Sequence, residues 1–302
     1  MTSSASSQKD REILIKYVPP YSFGQLLEHL RPRATPGIEA VGEKSYTRLT
    51  TNSGTPRIMN AEDAADGLHL RVRVTSENQK GLAHDLERLR YLLAVDENPS
   101  EAIGHLAEDK LIGSLVRERP WVRVPRCWDP FETSIRIIIG QQISVAAATT
   151  ISARVAHKFG QRIATSSDLC CVFPGPEVLA KVDLSDLGLT ERRKSAIQNF
   201  ARAVVNGTVD FETSQDLQEV EKTWCALEGI GPWTARLIAM RVLGHDDVMP
   251  SSDLGILRSL NRLSKQKVSP KQLERQSKLW KPFRSWSAQH LWQAPDTLRN
   301  AL

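Results

Sequence analysis

The stretch most suited to chemistry is residues 227–235, which reads LEGIGPWTA and lies between two predicted helices. Gly229 and Gly231, one residue apart, permit a tight turn with backbone conformations closed to other residues. Pro232 suits the first turn of a helix, where its missing N–H costs little. The free N–H groups of such a helix N-terminus can bind a phosphate oxygen. A contact of that kind positions a protein on DNA without selecting sequence.

A carboxylate follows in the loop of residues 248–255, which reads VMPSSDLG. We expect Ser251 or Ser252 to cap the next helix and to place Asp253 in its first turn, where the helix dipole favours an anion by roughly 0.3–1 kcal/mol. A fixed anion can stabilise positive charge that develops on a sugar, or orient water. Taken alone, the same pattern is the ordinary one of a helix cap. Asp246 and Asp247 are the nearest competitors for a catalytic role, and we expect both to face solvent.

The charge distribution points to a polyanionic partner. The formal net charge is +5, but residues 254–302 hold ten Lys and Arg against two acidic residues, a net charge of +8. A one-sided basic segment suits nucleic acid first. A solvated helical surface is the alternative on charge alone.

Composition excludes several other classes. Cys127, Cys170, Cys171 and Cys225 show neither zinc spacing nor a disulfide ladder, so we expect buried or idle thiols and no iron–sulfur cluster. No apolar run approaches the roughly 20 residues of a membrane span. Residues 1–10 lack the apolar core of a secretory signal and are expected to be a disordered lead-in. These features predict an intracellular monomer.

The elements that must position these residues fall into two parts. Residues 11–105 are expected to be mixed α and β, with alternating apolar residues over 68–74 and strands at 45–50 and 57–60 around a turn. A short helix is predicted at 23–30. This part carries no group of residues suited to catalysis or ligand binding, so its expected role is structural. Beyond residue 106 the pattern is helical, and the long apolar stretch 131–159 has a possible break at residues 140–142.

The motif LxGIGxxTA resembles the hairpin of the helix-hairpin-helix DNA repair glycosylases. The first of two further segments is DPFE at 129–132 followed by IIGQQISVAA at 138–147, and the second is WKPFRSW at 280–286 leading to HLW at 290–292. Both resemble the AlkA-type DNA-3-methyladenine glycosylases (type II). So do PPY at 19–21 and the strand at 68–74. The resemblance spans about residues 13–292.

This resemblance implies an α+β fold: an N-terminal antiparallel β-sheet domain with helices, then two all-α subdomains containing the helix-hairpin-helix motif. The core subdomain would span about 128–245, with the motif at 215–243. The second would combine about 106–127 with 246–302.

The resemblance also implies a base excision repair enzyme that flips alkylated purines out of double-stranded DNA. Asp253 matches the catalytic aspartate. Glycosylases that also cut the backbone carry a lysine nucleophile where this chain has Trp233, so no Schiff base can form. The enzyme is therefore expected to be monofunctional, to hydrolyse the N-glycosidic bond and to leave an abasic site.

Pocket residues follow from the same comparison. Trp233 and Trp292 match aromatic positions that line the base pocket, where indole faces attract a cationic alkylated base by about 0.5–2 kcal/mol each. Gln141 matches a pocket-facing position, and Gln142 matches the wedge that fills the vacated base stack. Leu237 replaces an aromatic ring of the best-known members, which puts the breadth of base preference in doubt.

The remaining implied contacts are with DNA and a cation. Gly229, Gly231 and Thr234 would hold a phosphate at the hairpin, and Arg284 would meet another phosphate or remain a simple surface arginine. No cofactor is expected, apart from a possible Na⁺ or K⁺ at the hairpin. Its ligands would be the main-chain carbonyls of Cys225, Leu227 and Ile230.

Two other functions remain open at this stage. One is a non-enzymatic helix-hairpin-helix module that only grips DNA, which would have no reason to pair Asp253 with an aromatic pocket. The other is a glycosylase acting on oxidised or deaminated bases.

Overall fold

A computed structural model describes residues 9–51, 54–165, 167–211 and 216–294. Five strands form one antiparallel sheet in the order β1-β5-β4-β3-β2. The strands are β1 (Lys9–Lys16), β2 (Glu39–Val41), β3 (Ser45–Thr50), β4 (Arg57–Asp63) and β5 (His69–Ser76). Along β5 the alternating residues Leu70, Val72 and Val74 are buried, as the period of two predicts.

Two helices cover the buried face of this sheet. They are α1 (Phe23–Leu30) and α2 (Leu82–Leu92), and their apolar residues share one core with those of the strands. The predicted helix at 23–30 and strand at 45–50 are confirmed within these elements, and the predicted strand at 57–60 is the first part of β4. Strands β1 and β2 were not predicted. The expected lead-in at 1–10 is wrong at its end, because residues 9 and 10 belong to β1 and pair with β5; residues 1–8 lie outside the described part.

The rest of the described chain is mostly helical and is built around a second, larger core. Its helices are α3 (Ser100–Ala107), α4 (Gly113–Glu118), α5 (Pro130–Ile139), α6 (Val145–Phe159), α7 (Pro176–Leu179), α8 (Glu191–Val205), α9 (Leu217–Cys225), α10 (Pro232–Arg241), α11 (Leu254–Ser264), α12 (Pro270–Gln276) and α13 (Arg284–Trp292). The predicted fold class, an antiparallel sheet domain followed by helices, is confirmed. The division of the helical part into two subdomains stays a prediction.

The break predicted near residue 140 separates α5 from α6. Helix α5 ends at Ile139, and α6 begins after Ser144, whose hydroxyl accepts the Ala147 N–H. A capping hydroxyl satisfies one of the free N–H groups of the new helix. The short connection between the two helices carries Gln141 and Gln142.

A buried network of charges locks the sheet domain to α5. Arg136 of α5 donates to Glu39 of β2 at 2.8 Å and to Glu132 at 3.1 Å, and Arg48 of β3 pairs with both carboxylates. Tyr46 adds a hydrogen bond of 2.7 Å to Glu39. Because each buried charge has opposite partners, its desolvation is compensated. The network fixes the sheet domain against the helices that carry the candidate site.

No helix among the described residues is long and apolar enough to cross a membrane.

Candidate active site

A cavity of approximately 1210 Å³ opens where α5, α10, α11 and α13 meet. Asp253, Trp233, Trp292, Leu237 and Gln141 all line it. The structure therefore brings together the predicted catalytic aspartate and the four residues predicted to contact a base. A cavity of this size, with apolar side chains beside many polar and charged groups, is large enough to take a nucleobase.

Asp253 is held at the cavity wall by three hydrogen bonds. Its Oδ1 atom accepts from the Trp292 indole N–H at 2.8 Å and from the Ile256 backbone N–H at 3.0 Å. Its Oδ2 atom accepts from the Trp233 indole N–H at 3.0 Å. Both carboxylate oxygens are thus fixed by neutral donors, and no cation of the described residues is hydrogen-bonded to either oxygen.

The position of Asp253 in its helix differs from the expectation. Asp253 itself is the N-cap of α11, and neither Ser251 nor Ser252 takes that role. An N-cap side chain turns back to the free N–H groups of the first turn, here that of Ile256. The capping bond therefore fixes the carboxylate instead of merely placing it near the helix dipole.

Gly255 lies close against this arrangement, a contact that the sequence did not reveal. A Cβ at residue 255 would lie 3.1 Å from both Asp253 Oδ1 and Trp292 Cδ1. Contacts this short require the neighbours to move. The absence of a side chain at Gly255 therefore lets the indole approach the carboxylate.

Trp233 and Trp292 are both partly exposed and both face the cavity. Their partial exposure distinguishes them from the core tryptophans Trp224 and Trp280, which are fully buried. Leu237, one turn along α10 from Trp233, is buried at the cavity wall. The indole edges point to Asp253, so the rings combine an apolar wall with polar positioning of the carboxylate.

The two hairpin glycines have different roles. Gly229 has φ +87°, and a Cβ there would lie 2.4 Å from the Cβ of Ala196 on α8, so glycine is required by both backbone and packing. Gly231 has φ −106°, which any residue can adopt, and a Cβ there would meet nothing within 4 Å. The expectation of a special conformation is wrong for Gly231. Its missing side chain leaves space in front of α10.

The N-terminus of α10 keeps the character predicted for a phosphate site. Gly231 is its N-cap and Pro232 its first residue, and no side chain in the described part of the chain caps it. The Thr234 side chain is buried and accepts a hydrogen bond of 3.0 Å from Gln141. The hydroxyl is thus engaged inside the protein, and the contact of Thr234 with DNA stays a prediction.

Gln141 links the short segment between α5 and α6 to the hairpin. Its Nε2 atom donates to the Gly229 carbonyl at 2.9 Å as well as to Thr234. Both amide hydrogens are thus committed to the hairpin, although the residue lines the cavity as predicted. Its main contribution is to position the hairpin.

Gln142 has the geometry expected of a wedge. It is exposed, it borders the cavity, and its φ of +57° is unusual for a residue with a side chain. Such a conformation costs of order 1 kcal/mol, and four other described residues with side chains also adopt it. The strained backbone holds Gln142 at the tip between α5 and α6.

Arg284 is paired with Asp247, and its predicted contact with a phosphate stays a prediction. Its guanidinium binds both carboxylate oxygens of Asp247, at 2.5 and 3.0 Å, and the backbone carbonyl of Asp247 at 2.8 Å. A guanidinium that pairs with both oxygens of one carboxylate holds the two chain segments together. Asp246 likewise binds Arg126 at 2.7 Å and the Trp286 indole at 3.2 Å. Asp246 is nevertheless exposed, as expected, whereas Asp247 is half-buried against Arg284, so the expectation that both face solvent is wrong for Asp247 alone.

Two arginines that interact electrostatically with Asp253 were missed, among several that line the cavity. Arg33, beyond α1 in the sheet domain, and Arg241 of α10 both line it. Burial lowers the pKa of Arg33 to about 10, and burial together with the charges of Arg33 and Arg126 lowers the pKa of Arg241 to about 9. Asp253 attracts both cations. The sheet domain therefore has more than the structural role expected from its sequence, which carried no motif for this contribution.

The hairpin carbonyls are compatible with a monovalent cation. Cys225 ends α9, and Leu227 and Ile230 lie in the turn before α10. The Leu227 carbonyl accepts the Ile230 N–H at 3.1 Å, and a carbonyl oxygen has a second lone pair for a cation. The three ligands stay a prediction.

Comparison with protein families matches two consecutive segments. Residues 12–129 match the AlkA N-terminal domain, and residues 135–284 match the HhH-GPD superfamily base excision DNA repair protein. DNA-3-methyladenine glycosylase 2 of Escherichia coli is 31% identical over 284 residues, which cover 92% of this chain and 95% of that protein. This chain belongs to the HhH-GPD superfamily, with an AlkA N-terminal domain, as the hairpin and pocket segments predicted.

Two other proteins extend the comparison. The probable bifunctional transcriptional activator/DNA repair enzyme AlkA of Mycobacterium tuberculosis is 31% identical over 274 residues, or 90% of this chain, but the match spans only 55% of that relative's length. The 3-methyladenine DNA-glycosylase of Archaeoglobus fulgidus has a TM-score of 0.79 at 20% identity, covering 93% of this chain and 97% of that one. The latter similarity establishes the fold.

Proposed function

We propose that this protein is a monofunctional DNA glycosylase of base excision repair that removes alkylated purines of the 3-methyladenine type from duplex DNA. The observation that carries the proposal is the triad of Asp253 with the Trp233 and Trp292 indoles at one cavity wall. The E. coli relative named DNA-3-methyladenine glycosylase 2 aligns over nearly its full length. A module that only grips DNA would not need this arrangement.

Binding begins with the backbone of the DNA. The uncapped N-terminus of α10 and the open space at Gly231 suit a phosphate oxygen. The damaged nucleotide leaves the stack and enters the cavity, at a cost of a few kcal/mol. Gln142, exposed at the rim, fills the space left between the neighbouring bases.

Base release needs one anion and a water molecule. The bond between the base nitrogen and C1′ of deoxyribose breaks, and its electron pair leaves with the base. A purine alkylated at a ring nitrogen departs as a neutral molecule, so no strong general acid is required. Asp253 stabilises the positive charge that develops on the sugar. Water then bonds to C1′ and loses a proton to solvent, leaving an abasic site.

The absence of an amine at the sugar makes the reaction purely hydrolytic. Trp233 stands where a lyase would carry its nucleophilic lysine, and the described residues that line the cavity include no lysine. Without an amine, no Schiff base forms and the strand is not cut.

A second substrate class is favoured by Arg33 and Arg241. These two cations near Asp253 oppose a positively charged base, and their field favours an electronegative oxygen on the base. A deaminated purine is neutral and presents an oxygen on its six-membered ring. The pocket is therefore suited to deaminated purines as well, with Asp253 offsetting the cations when the base is charged.

The test is product analysis on methylated duplex DNA. Chromatography should show free 3-methyladenine, and electrophoresis should show intact strands that break only after alkali. Borohydride added during turnover should trap no protein–DNA adduct. Strand cleavage without alkali, or a borohydride adduct, would contradict the hydrolytic mechanism, and absence of any released base would reject the glycosylase.

A further inference from the structure

Three side chains that commonly bind metals lie together, away from the proposed active site. One ligand atom from each of His157, Cys170 and Cys171 lies within 4.8 Å of those of the other two. His157 is exposed near the end of α6, Cys170 is half-buried, and Cys171 is buried. The proposed reaction uses none of them, and the sequence spacing gave no sign of the cluster.

The backbone explains how two adjacent cysteines can serve one site. In a regular strand, neighbouring side chains point to opposite faces. Here the N–H groups of Cys170 and Cys171 both donate to the Gly37 carbonyl, at 2.8 and 3.1 Å. A bridge between Arg162 and Cys171 holds the segment against the chain that leaves α6. The local bend brings both thiols to the same place.

Gly37 closes the site from the sheet domain. Its φ is +87°, and a Cβ there would lie 2.9 Å from His157 Cε1 and 3.2 Å from Cys171 Sγ. Only glycine fits this close approach. The cluster therefore joins three parts of the chain: α6, the cysteine segment and the loop before β2.

A positive group already contacts two of the ligands. The Nη1 atom of Arg162 lies 3.0 Å from His157 Nδ1 and 3.7 Å from Cys170 Sγ. A guanidinium only donates hydrogen bonds, so this geometry places Nδ1 as the acceptor. The lone pair that accepts from Arg162 is the one that a metal would use once the guanidinium moves away.

We propose that His157, Cys170 and Cys171 form a binding site for a thiophilic divalent cation of the zinc class. Zn²⁺ prefers nitrogen and sulfur ligands at about 2.0–2.3 Å in a tetrahedron, which brings ligand atoms to about 3–4 Å from one another. Small side-chain movements achieve this from the present spacing. Arg162 swings out as the metal enters, each thiol releases one proton, and water takes the fourth position on the exposed side.

The experiment uses Co²⁺ as a spectroscopic probe and Zn²⁺ as its competitor, on the full chain with a phosphine reductant. One equivalent of Co²⁺ should produce tetrahedral visible bands and a thiolate-to-cobalt charge-transfer band, and Zn²⁺ should abolish both. Cys170→Ser and His157→Gln should weaken Zn²⁺ affinity by about 100-fold or more, because losing a group that only supports a ligand already costs about 10–100-fold. Cys225→Ser removes a thiol elsewhere and should leave the affinity unchanged.

A second variant should bind Zn²⁺ more tightly than the wild type does. Arg162→Gln removes a competing cation and should tighten Zn²⁺ binding by about tenfold or more. Because an unfolded chain also binds metals through its exposed Cys and His, the gain counts only if Arg162→Gln unfolds at the wild-type denaturant concentration. Absence of the charge-transfer band in the wild type would overturn the site. Unchanged binding in His157→Gln, or equal losses in Cys170→Ser and Cys225→Ser, would also overturn it, and unchanged binding in Arg162→Gln would overturn the proposed metal position.

Discussion

Replacing Trp292 with phenylalanine isolates the hydrogen bond that fixes the carboxylate. Trp292→Phe keeps an aromatic wall but removes the N–H that donates to Asp253 Oδ1 at 2.8 Å. A hydrogen bond to a charged group contributes about 1.5–3 kcal/mol. If all of it orients Asp253 for the transition state, base release slows by about 10–150-fold.

The assay is single-turnover release of a methylated purine from duplex DNA, with DNA affinity measured separately. Trp121→Phe is the matched control, since that indole is also partly exposed and its N–H has no hydrogen-bond partner among the described residues. The control should retain the wild-type rate. The slowing by Trp292→Phe should largely disappear in an Asp253→Asn background, because the two changes act through one carboxylate.

Three results would refute this reasoning. The first is a wild-type rate in Trp292→Phe, and the second is an equal loss in Trp121→Phe. The third is the same slowing whether or not Asp253 carries its charge. Each would show that the indole acts through packing or base stacking alone.

Three further predictions concern the hairpin, the wedge and a buried histidine. Gly229→Ala should destabilise the fold by about 1–3 kcal/mol in chemical denaturation, because the new Cβ meets Ala196 in a left-handed backbone, whereas Gly231→Ala should not; equal losses would contradict the distinction. Gln142→Ala should slow base release from duplex DNA more than from single strands, and equal slowing on both would remove the wedge assignment. Burial lowers the pKa of His290 to about 3 from its ordinary 6.5, so this group's contribution to stability is present above pH 6.5 and is lost as the pH falls towards 3. By pH 5 the loss is about 2 kcal/mol. The free energy of unfolding should therefore depend less steeply on pH in His290→Gln than in the wild type. An unchanged slope would argue against this origin.

Local patterns predicted much of the fold and part of the site. Alternating apolar residues identified β5, and the break in the apolar stretch after residue 139 placed Gln141 and Gln142 correctly between two helices. Strand β1 was missed because it lies at the sheet edge and its exposed face includes Leu14, which obscures the alternation. Strand β2 has only three residues, too few to show a period.

The parts of the site that could not be predicted depend on tertiary contacts. Nothing near Arg33 in the sequence indicates that it reaches a cavity formed mainly by helices more than 100 residues away. Arg284 forms an ion pair with Asp247, 37 residues earlier in the chain. Nothing in the sequence indicates this pairing. The contact of Gly255 with Trp292 likewise exists only after α11 and α13 have packed together.

The most direct test of the central claim is the effect of Asp253→Asn on single-turnover base release from methylated duplex DNA. Asp216→Asn is the matched control, because Asp216 also caps a helix, α9, but lies outside the cavity. Asp253→Asn should slow release by about 1,000-fold or more with little change in DNA affinity, while Asp216→Asn stays at the wild-type rate. Release by Asp253→Asn within about tenfold of wild type would contradict the assignment of this carboxylate as the anion that stabilises the sugar cation.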